Sequence, residues 1–174
     1  GLHFSPDRGI LSKAKIQYAT TEPPVETYPR RTKGVPTIMK LSVFNPVLGD
    51  MPFESAMQYL AQCGVDAVEI GCGGYPGKDH CDPEVLLHDE AKYQEFCDTI
   101  KKYDMEVSAF SCHGNPIHPN KELAAAYDKD MRNAVLMAEK YGLHQINCFS
   151  GCPGDCETSK YPNWAVATWP EDYE

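Results

Sequence analysis

The residues best suited to chemistry in this sequence are two histidines, His113 and His118, in the segment Ser-Cys-His-Gly-Asn-Pro-Ile-His-Pro. Histidine changes its charge near neutral pH, so it can transfer protons or hydrogen-bond the hydroxyl groups of a small molecule. We predict that His113 is catalytic and that His118 binds the substrate. The alternative is that one or both only hydrogen-bond the turn made by Pro116 and Pro119.

Glu69 is the carboxylate most suited to a ligand site. It lies between Val68 and Ile70, so in a strand its side chain points to the opposite face. A carboxylate facing the inside of a fold costs free energy unless it is bonded to something. The position therefore predicts either a substrate-binding group or a partner in a buried ion pair.

Three more polar residues, Asn45, Asn115 and Ser150, each follow a run of residues that is typical of a strand. In parallel α/β folds the ligand site lies at the carboxyl ends of the strands. We therefore predict that all three bind substrate. For Asn115 the alternative is that it stabilises the same proline turn as the histidines.

Glycine and cysteine patterns add little. The run Gly-Cys-Gly-Gly at 71–74 matches neither the dinucleotide-binding pattern nor the P-loop, so we predict a plain loop. Cys148, Cys152 and Cys156 recur every four residues, but no CxxC pair and no evident base accompany them. They predict neither a structural zinc site nor a thiol nucleophile, and no residue is assigned as a metal ligand.

Composition favours a globular protein that acts on small molecules. The chain has 174 residues, 42% of them hydrophobic and 24% charged, and a net charge of −9. An acidic chain lacks the clustered Lys and Arg that nucleic acid requires. No apolar stretch approaches the roughly 20 residues of a membrane-spanning helix. We expect a cytoplasmic protein with no membrane or nucleic-acid partner and with most cysteines as free thiols.

A change of character at Met39 suggests two unlike pieces. Residues 1–38 carry six Lys or Arg and three Asp or Glu, although the whole chain is acidic. They contain five prolines and no sustained period of a helix or strand. We predict a disordered or non-native leader over 1–38, with Met39 as the natural start of the domain at 39–174.

From Met39 onward, short strands alternate with helices. Asp50 and Asn120 are placed to cap the first and third helices, the second helix runs from about Asp89, and Gly142 ends the third. A long loop is predicted over 71–88. Strands alternating with helices favour a parallel sheet, either open and doubly wound or closed into a barrel. The predicted strands cover residues 39–44, 66–70, 105–110 and 144–149.

The strand ends carry a family resemblance. The segments Val-Glu-Ile-Gly at 68–71, 111–119 and Phe-Ser-Gly-Cys-Pro-Gly-Asp at 149–155 resemble the sugar phosphate isomerase/epimerase family of xylose isomerase-like barrels, from Met39 to the C-terminus. The resemblance implies the N-terminal half of a (β/α)₈ TIM barrel, with four parallel strands and the helices outside. A complete barrel of this type needs roughly 250 residues, so we expect the later strands to be missing.

The same resemblance implies a function. Family members hold a divalent metal, Mn, Mg or Zn, at the barrel mouth and move protons next to a carbonyl or hydroxyl carbon. We therefore expect a sugar or sugar-phosphate isomerase or epimerase whose metal ligands lie mostly on the later strands. The alternatives are a related lyase or deglycosidase acting on oxidised sugars, and a non-catalytic half-barrel. An abasic-site endonuclease is disfavoured by the acidic charge.

An incomplete barrel predicts self-association as well. Four strands leave open edges on the first and fourth, and exposed backbone at such edges pairs readily with other chains. We expect the chain to associate or to be marginally stable, and to lack tight metal binding and isomerase activity by itself. This expectation assumes that five apolar side chains face water in part: Val43, Val68, Ile70, Val107 and Ile146.

Overall fold

The structure, a computed structural model, describes residues 39–164. The predicted leader at 1–38 lies outside the described residues. Within 39–164 no helix is long and apolar enough to cross a membrane.

Four strands form a single parallel sheet in consecutive order, β1-β2-β3-β4. The predicted order and direction are confirmed. Two strands run further than predicted, because β2 continues through the glycine run and β3 continues to His113. The four strands are β1 (Ser42–Phe44), β2 (Ala67–Gly74), β3 (Glu106–His113) and β4 (Ile146–Cys148).

The helices that connect the strands begin and end largely where the caps predict. The Asp89 carboxylate accepts from the Lys92 amide, and Asn120 caps the longest helix in the same way. Gly142 ends that helix with φ +81°, the left-handed conformation that favours glycine. The helices are α1 (Phe53–Gln62), α2 (Pro83–Leu86), α3 (Glu90–Lys102) and α4 (Lys121–Tyr141).

Two local predictions are wrong. Asp50 does not cap α1, because β1 runs directly into a 3-10 helix at Asn45–Leu48 and α1 begins after Pro52. Pro52 suits that position, since a proline has no amide to leave unbonded in the first turn. The predicted loop over 71–88 also contains helix α2, which is capped by the Asp82 side chain. A single helical turn is too short to show a period in the sequence.

The hydrophobic core lies between one face of the sheet and the helices. Fully buried side chains of β2 and β3, such as Ile70 and Phe110, pack there against helix residues such as Met57 and Met137. The Phe110 ring also meets the Tyr141 ring edge-on, with centroids 5.7 Å apart. We call this side of the sheet the helix face.

The helix face also receives the five apolar side chains that we expected to face water in part. Val68 and Ile70 are completely buried, and Val43, Val107 and Ile146 pack against the same core. The expectation is therefore wrong for Val68 and Ile70, whereas Val43, Val107 and Ile146 are partly exposed, as expected. The reason is the period of two along a strand: residues that alternate with these five occupy the other side of the sheet, and that side is largely polar.

Candidate functional site

The side of the sheet opposite the helices carries the predicted chemistry. We call it the polar face and define it by the residues that alternate with the core positions. Contacts between strands show that these side chains share one side: Ser42 Oγ lies 2.8 Å from Ser108 Oγ, and Ser111 hydrogen-bonds Glu69. The polar face consists of Ser42, Phe44, Glu69, Ser108, Ser111 and His113, continued by Phe149 after β4.

His113 is the last residue of β3 and lies at the carboxyl end of the sheet. Its ring stacks on Phe149, with centroids 4.7 Å apart and an interplanar angle of 8°. On its other side Phe44 approaches with a centroid distance of 6.0 Å. Neither ring nitrogen is hydrogen-bonded within residues 39–164. The imidazole is thus held by aromatic contacts while its nitrogens keep their bonding capacity.

Gly74 fixes the backbone that carries His113. It has φ +66°, and a Cβ added there would lie 2.2 Å from the His113 carbonyl oxygen. The next residue, Tyr75, donates its amide hydrogen to that same oxygen at 2.7 Å. Only glycine allows this close approach, so the run that we predicted as a plain loop is part of what positions the histidine.

Glu69 lies on the polar face as predicted, half-buried and hydrogen-bonded by the Ser111 hydroxyl. It pairs with Ala109 across the β2–β3 ladder, and Ala109 precedes His113 by four residues in β3. No Lys, Arg or His within the described residues forms an ion pair with it. The buried ion-pair alternative therefore has no partner in this part of the chain, and the carboxylate retains an oxygen for a ligand.

Asn45 has a different surrounding from the one we predicted. Its side chain is buried, its Oδ1 accepts from the Gly71 amide at 3.0 Å, and its Nδ2 donates to His80 Nδ1 at 2.7 Å. His80 Nε2 in turn donates to the Met51 carbonyl at 2.8 Å. Both polar atoms of the Asn45 side chain are hydrogen-bonded to protein groups, so in this structure the residue holds the end of β2. His80 has no local sequence signal, because its partner is 35 residues away.

Asn115 joins two loops. Its Nδ2 donates to the Cys152 carbonyl at 2.8 Å, and its Oδ1 accepts from the Cys152 amide at 2.9 Å. It is completely buried. This geometry agrees with the alternative that Asn115 stabilises a turn. It also joins that turn to the loop after β4, a contact that the sequence does not predict.

His118 and Ser150 lie apart from the polar face. His118 is 3% exposed, and its Nδ1 accepts from the Asn120 amide at 2.9 Å at the start of α4. It lines a groove of about 360 Å³ with residues that include Leu123 and Tyr161. Ser150 is exposed in the loop after β4. The structure thus brings Glu69 and His113 onto one face, whereas Asn45, Asn115 and His118 are hydrogen-bonded within the loops.

A complete metal site is not present among the residues that the structure describes. No group of three His, Cys, Asp or Glu side chains in 39–164 is arranged to hold a metal ion. Burial raises the pKa of Cys72 in β2 and of Cys112 in β3 to about 12, so both thiols are protonated at neutral pH. The metal implied by the resemblance therefore stays a prediction, and we derive no step through it.

Comparison with known proteins gives one relative with a partial match. The chain is 32% identical over 134 residues to a protein of Bacillus subtilis (strain 168) named "Uncharacterized protein YfiH". The match covers 76% of this chain and 42% of the relative. No family model matches the chain. The chain thus spans less than half the length of the curated relative that it is similar to.

Proposed function

We propose that β1–β4 and their helices are the N-terminal half of a (β/α)₈ barrel. The support is the consecutive parallel order together with a core on one face of the sheet. Within residues 39–164, β1 and β4 have a neighbouring strand on one side only. Self-association through those edges stays a prediction, which sedimentation of the chain at several concentrations measures directly.

On this framework we propose that the polar face binds a sugar and that His113 transfers a proton, as in an isomerase or epimerase. The observation that carries the proposal is the imidazole at the carboxyl end of β3, positioned by Phe149 and Phe44, with both ring nitrogens unbonded within the described chain. A proton-transfer group needs a fixed position and a free nitrogen. His113 has both.

Glu69 is proposed to bind sugar hydroxyl groups, with its carboxylate held in place by the completely buried Ser111. A carboxylate that already accepts one hydroxyl hydrogen bond has room for a second donor on its other oxygen. Of the side chains that the four strands carry, Glu69 and Glu106 are the charged ones, and Glu106 is at the amino end beside Lys40. The polar face therefore favours an uncharged sugar, and a phosphate would need a cation from another part of the protein.

The ring resonances of the histidines provide the test. We expect D-fructose, titrated into the chain, to shift the His113 resonances saturably and to leave those of His88 and His144 unchanged. Both control histidines are exposed. In D₂O, exchange of the proton next to the sugar carbonyl reports proton transfer. Equal shifts at all three histidines, or none at any, would contradict sugar binding at this face by this chain.

Binding and chemistry separate in the same experiment. If His113 shifts but the sugar proton does not exchange, the chain binds without catalysis, which is the non-catalytic alternative. Repeating the exchange measurement with Mn²⁺, Mg²⁺ or Zn²⁺ added tests whether a metal is needed. An oxidised sugar that loses a group instead of isomerising would favour the lyase alternative.

A further inference from the structure

The loop after β4 holds two cysteines in unlike settings. Its backbone is fixed at one point by Asn115, which bonds both the amide and the carbonyl of Cys152, and at another by the Asn163 amide, which donates to the Pro153 carbonyl at 2.8 Å. Cys152 is half-buried at the first anchor. Cys156, four residues on, is exposed.

Cys156 lies among hydrogen-bond donors. Its Sγ is 3.3 Å from Thr158 Oγ1 and 3.6 Å from Ser159 Oγ. The hydroxyl of Thr158, followed by that of Ser159 and the backbone amides of both, lowers the pKa of the Cys156 thiol. Cys72, Cys81 and Cys112 are the opposite case, because they are buried and burial raises the pKa of their thiols. Exposure and a stabilised thiolate are the two conditions for reaction with an oxidant.

We propose that Cys156 and Cys152 form a peroxide-sensitive pair in the loop after β4. The Cys156 thiolate attacks one oxygen of a hydroperoxide, the O–O bond breaks, and the leaving oxygen takes a proton to form water or an alcohol. Cys156 is then a sulfenic acid. The Cys152 sulfur displaces its hydroxyl group, which leaves as water with the Cys152 proton, and a disulfide remains. The thiols lose two electrons and the peroxide gains them.

The spacing and the local fold favour Cys152 as the second thiol. A disulfide needs Cα atoms about 4.4–6.8 Å apart, which two residues separated by a tight turn can reach. The segment between them, Pro-Gly-Asp, consists of residues that are typical of tight turns. Cys148 is held in β4 by the sheet, so it is less able to approach.

Mass spectrometry after peroxide treatment tests the pair. In the unchanged chain we expect a peptide with a Cys152–Cys156 disulfide. In Cys152→Ser we expect dimedone, which traps sulfenic acids, to label Cys156. Cys63 is the matched control, because it is also exposed but ends helix α1 without neighbouring hydroxyl groups bonded to its sulfur. Labelling at Cys156 should be several-fold faster than at Cys63, because the hydroxyl groups beside the Cys156 sulfur favour its thiolate.

Several results would overturn the proposal. They are equal labelling of Cys63 and Cys156, an unreacted Cys156 while other thiols oxidise, and a disulfide that joins Cys156 to Cys148 instead of Cys152. Because the experiment involves no sugar, its outcome is independent of the function proposed for the polar face. A Cys156→Ser chain, which should form no disulfide in this loop, shows that the signal comes from Cys156.

Discussion

The two faces of the sheet are built from residues of the same strands, yet they differ in burial and in the contacts that hold their side chains. On the helix face, Val68, Ile70 and Phe110 are completely buried against helices. On the polar face, Glu69 and His113 are only half-buried, Glu69 being held by one hydrogen bond and His113 by two aromatic contacts. One face supplies the free energy of folding, and the other keeps polar groups accessible.

This difference explains why stability and chemistry can be changed separately. Burial of apolar area is the main favourable term in folding, and here it is concentrated on one side. Groups on the other side contribute little burial, so their types are open to selection for binding. The comparison predicts that substitutions one residue apart along a strand have unlike consequences.

Phe110→Ala should have the largest effect. Removing a fully buried ring that contacts Tyr141 leaves a cavity between sheet and helices, and we expect the free energy of unfolding to fall by about 3–5 kcal/mol. Urea denaturation measures it. The control is Ser108→Ala, two residues earlier but on the polar face, because the β2–β3 register shifts between Val68 and Glu69. It loses an exposed hydroxyl contact and should cost less than about 1 kcal/mol. Similar losses for both would show that the two faces are not distinct in energy.

Gly74→Ala tests the junction between the faces. The substituted residue would keep a positive φ and would also press its Cβ onto the His113 carbonyl, so we expect a loss of about 2–4 kcal/mol from strain and from displaced strand contacts. Gly64→Ala is matched to it, because φ is +75° there but nothing lies within 4 Å of the added atom. That change should cost about 1 kcal/mol. An equal cost at both positions would mean that the close approach at His113 does not matter.

Asn115→Ala should have an intermediate effect. The substitution leaves the amide and carbonyl of Cys152 without their partner, and each unsatisfied buried group costs about 1–3 kcal/mol unless water reaches it. We expect the loss near the lower end, together with faster hydrogen exchange in the loop after β4. Asn133→Ala is the control, since its side chain makes one long contact on the surface of α4. Unchanged exchange in the loop would show that Asn115 does not anchor it.

Much of the fold could be predicted from local sequence signals. The caps at Asp89 and Asn120 and the stop at Gly142 act within one turn of chain, so the residue types alone indicate them. Parallel pairing follows from the alternation of strands with helices, whereas the consecutive strand order is what the resemblance to a barrel implies. The Asp50 cap failed because a 3-10 helix, which has no clear sequence period, occupies the connection instead.

The site was less predictable, because its contacts join distant parts of the chain. Glu69 was placed correctly by the period of two, which is a local property. The partners of Asn45 and Asn115 lie 35 and 37 residues away, in loops whose paths no local pattern determines. Ser111, which holds Glu69, has no sequence signal of its own, because its partner is 42 residues away. A buried asparagine is thus as consistent with anchoring a loop as with binding a ligand.

His113→Gln should have the smallest effect on stability and the largest on function. No hydrogen bond to the ring is lost within the described chain, and the main loss is the stack on Phe149, which is worth about 0.5–1.5 kcal/mol. Glutamine still offers polar atoms but cannot take up a proton at neutral pH. In a protein that also contains the later strands and exchanges the sugar proton, the substitution should lower the rate of exchange about 10²–10⁴-fold. NMR in D₂O measures that rate.

The sugar affinity of the same variant distinguishes proton transfer from binding. If His113 acts on the bound sugar, His113→Gln should leave the dissociation constant within a few-fold of the unchanged chain, because Glu69 and Ser111 remain. His144→Gln, an exposed histidine outside the polar face, should change neither quantity. Lost affinity with an unchanged rate at saturating sugar would reassign His113 to binding. A large loss of stability would instead place it with the core, and the division of the sheet into two faces would not extend to its carboxyl end.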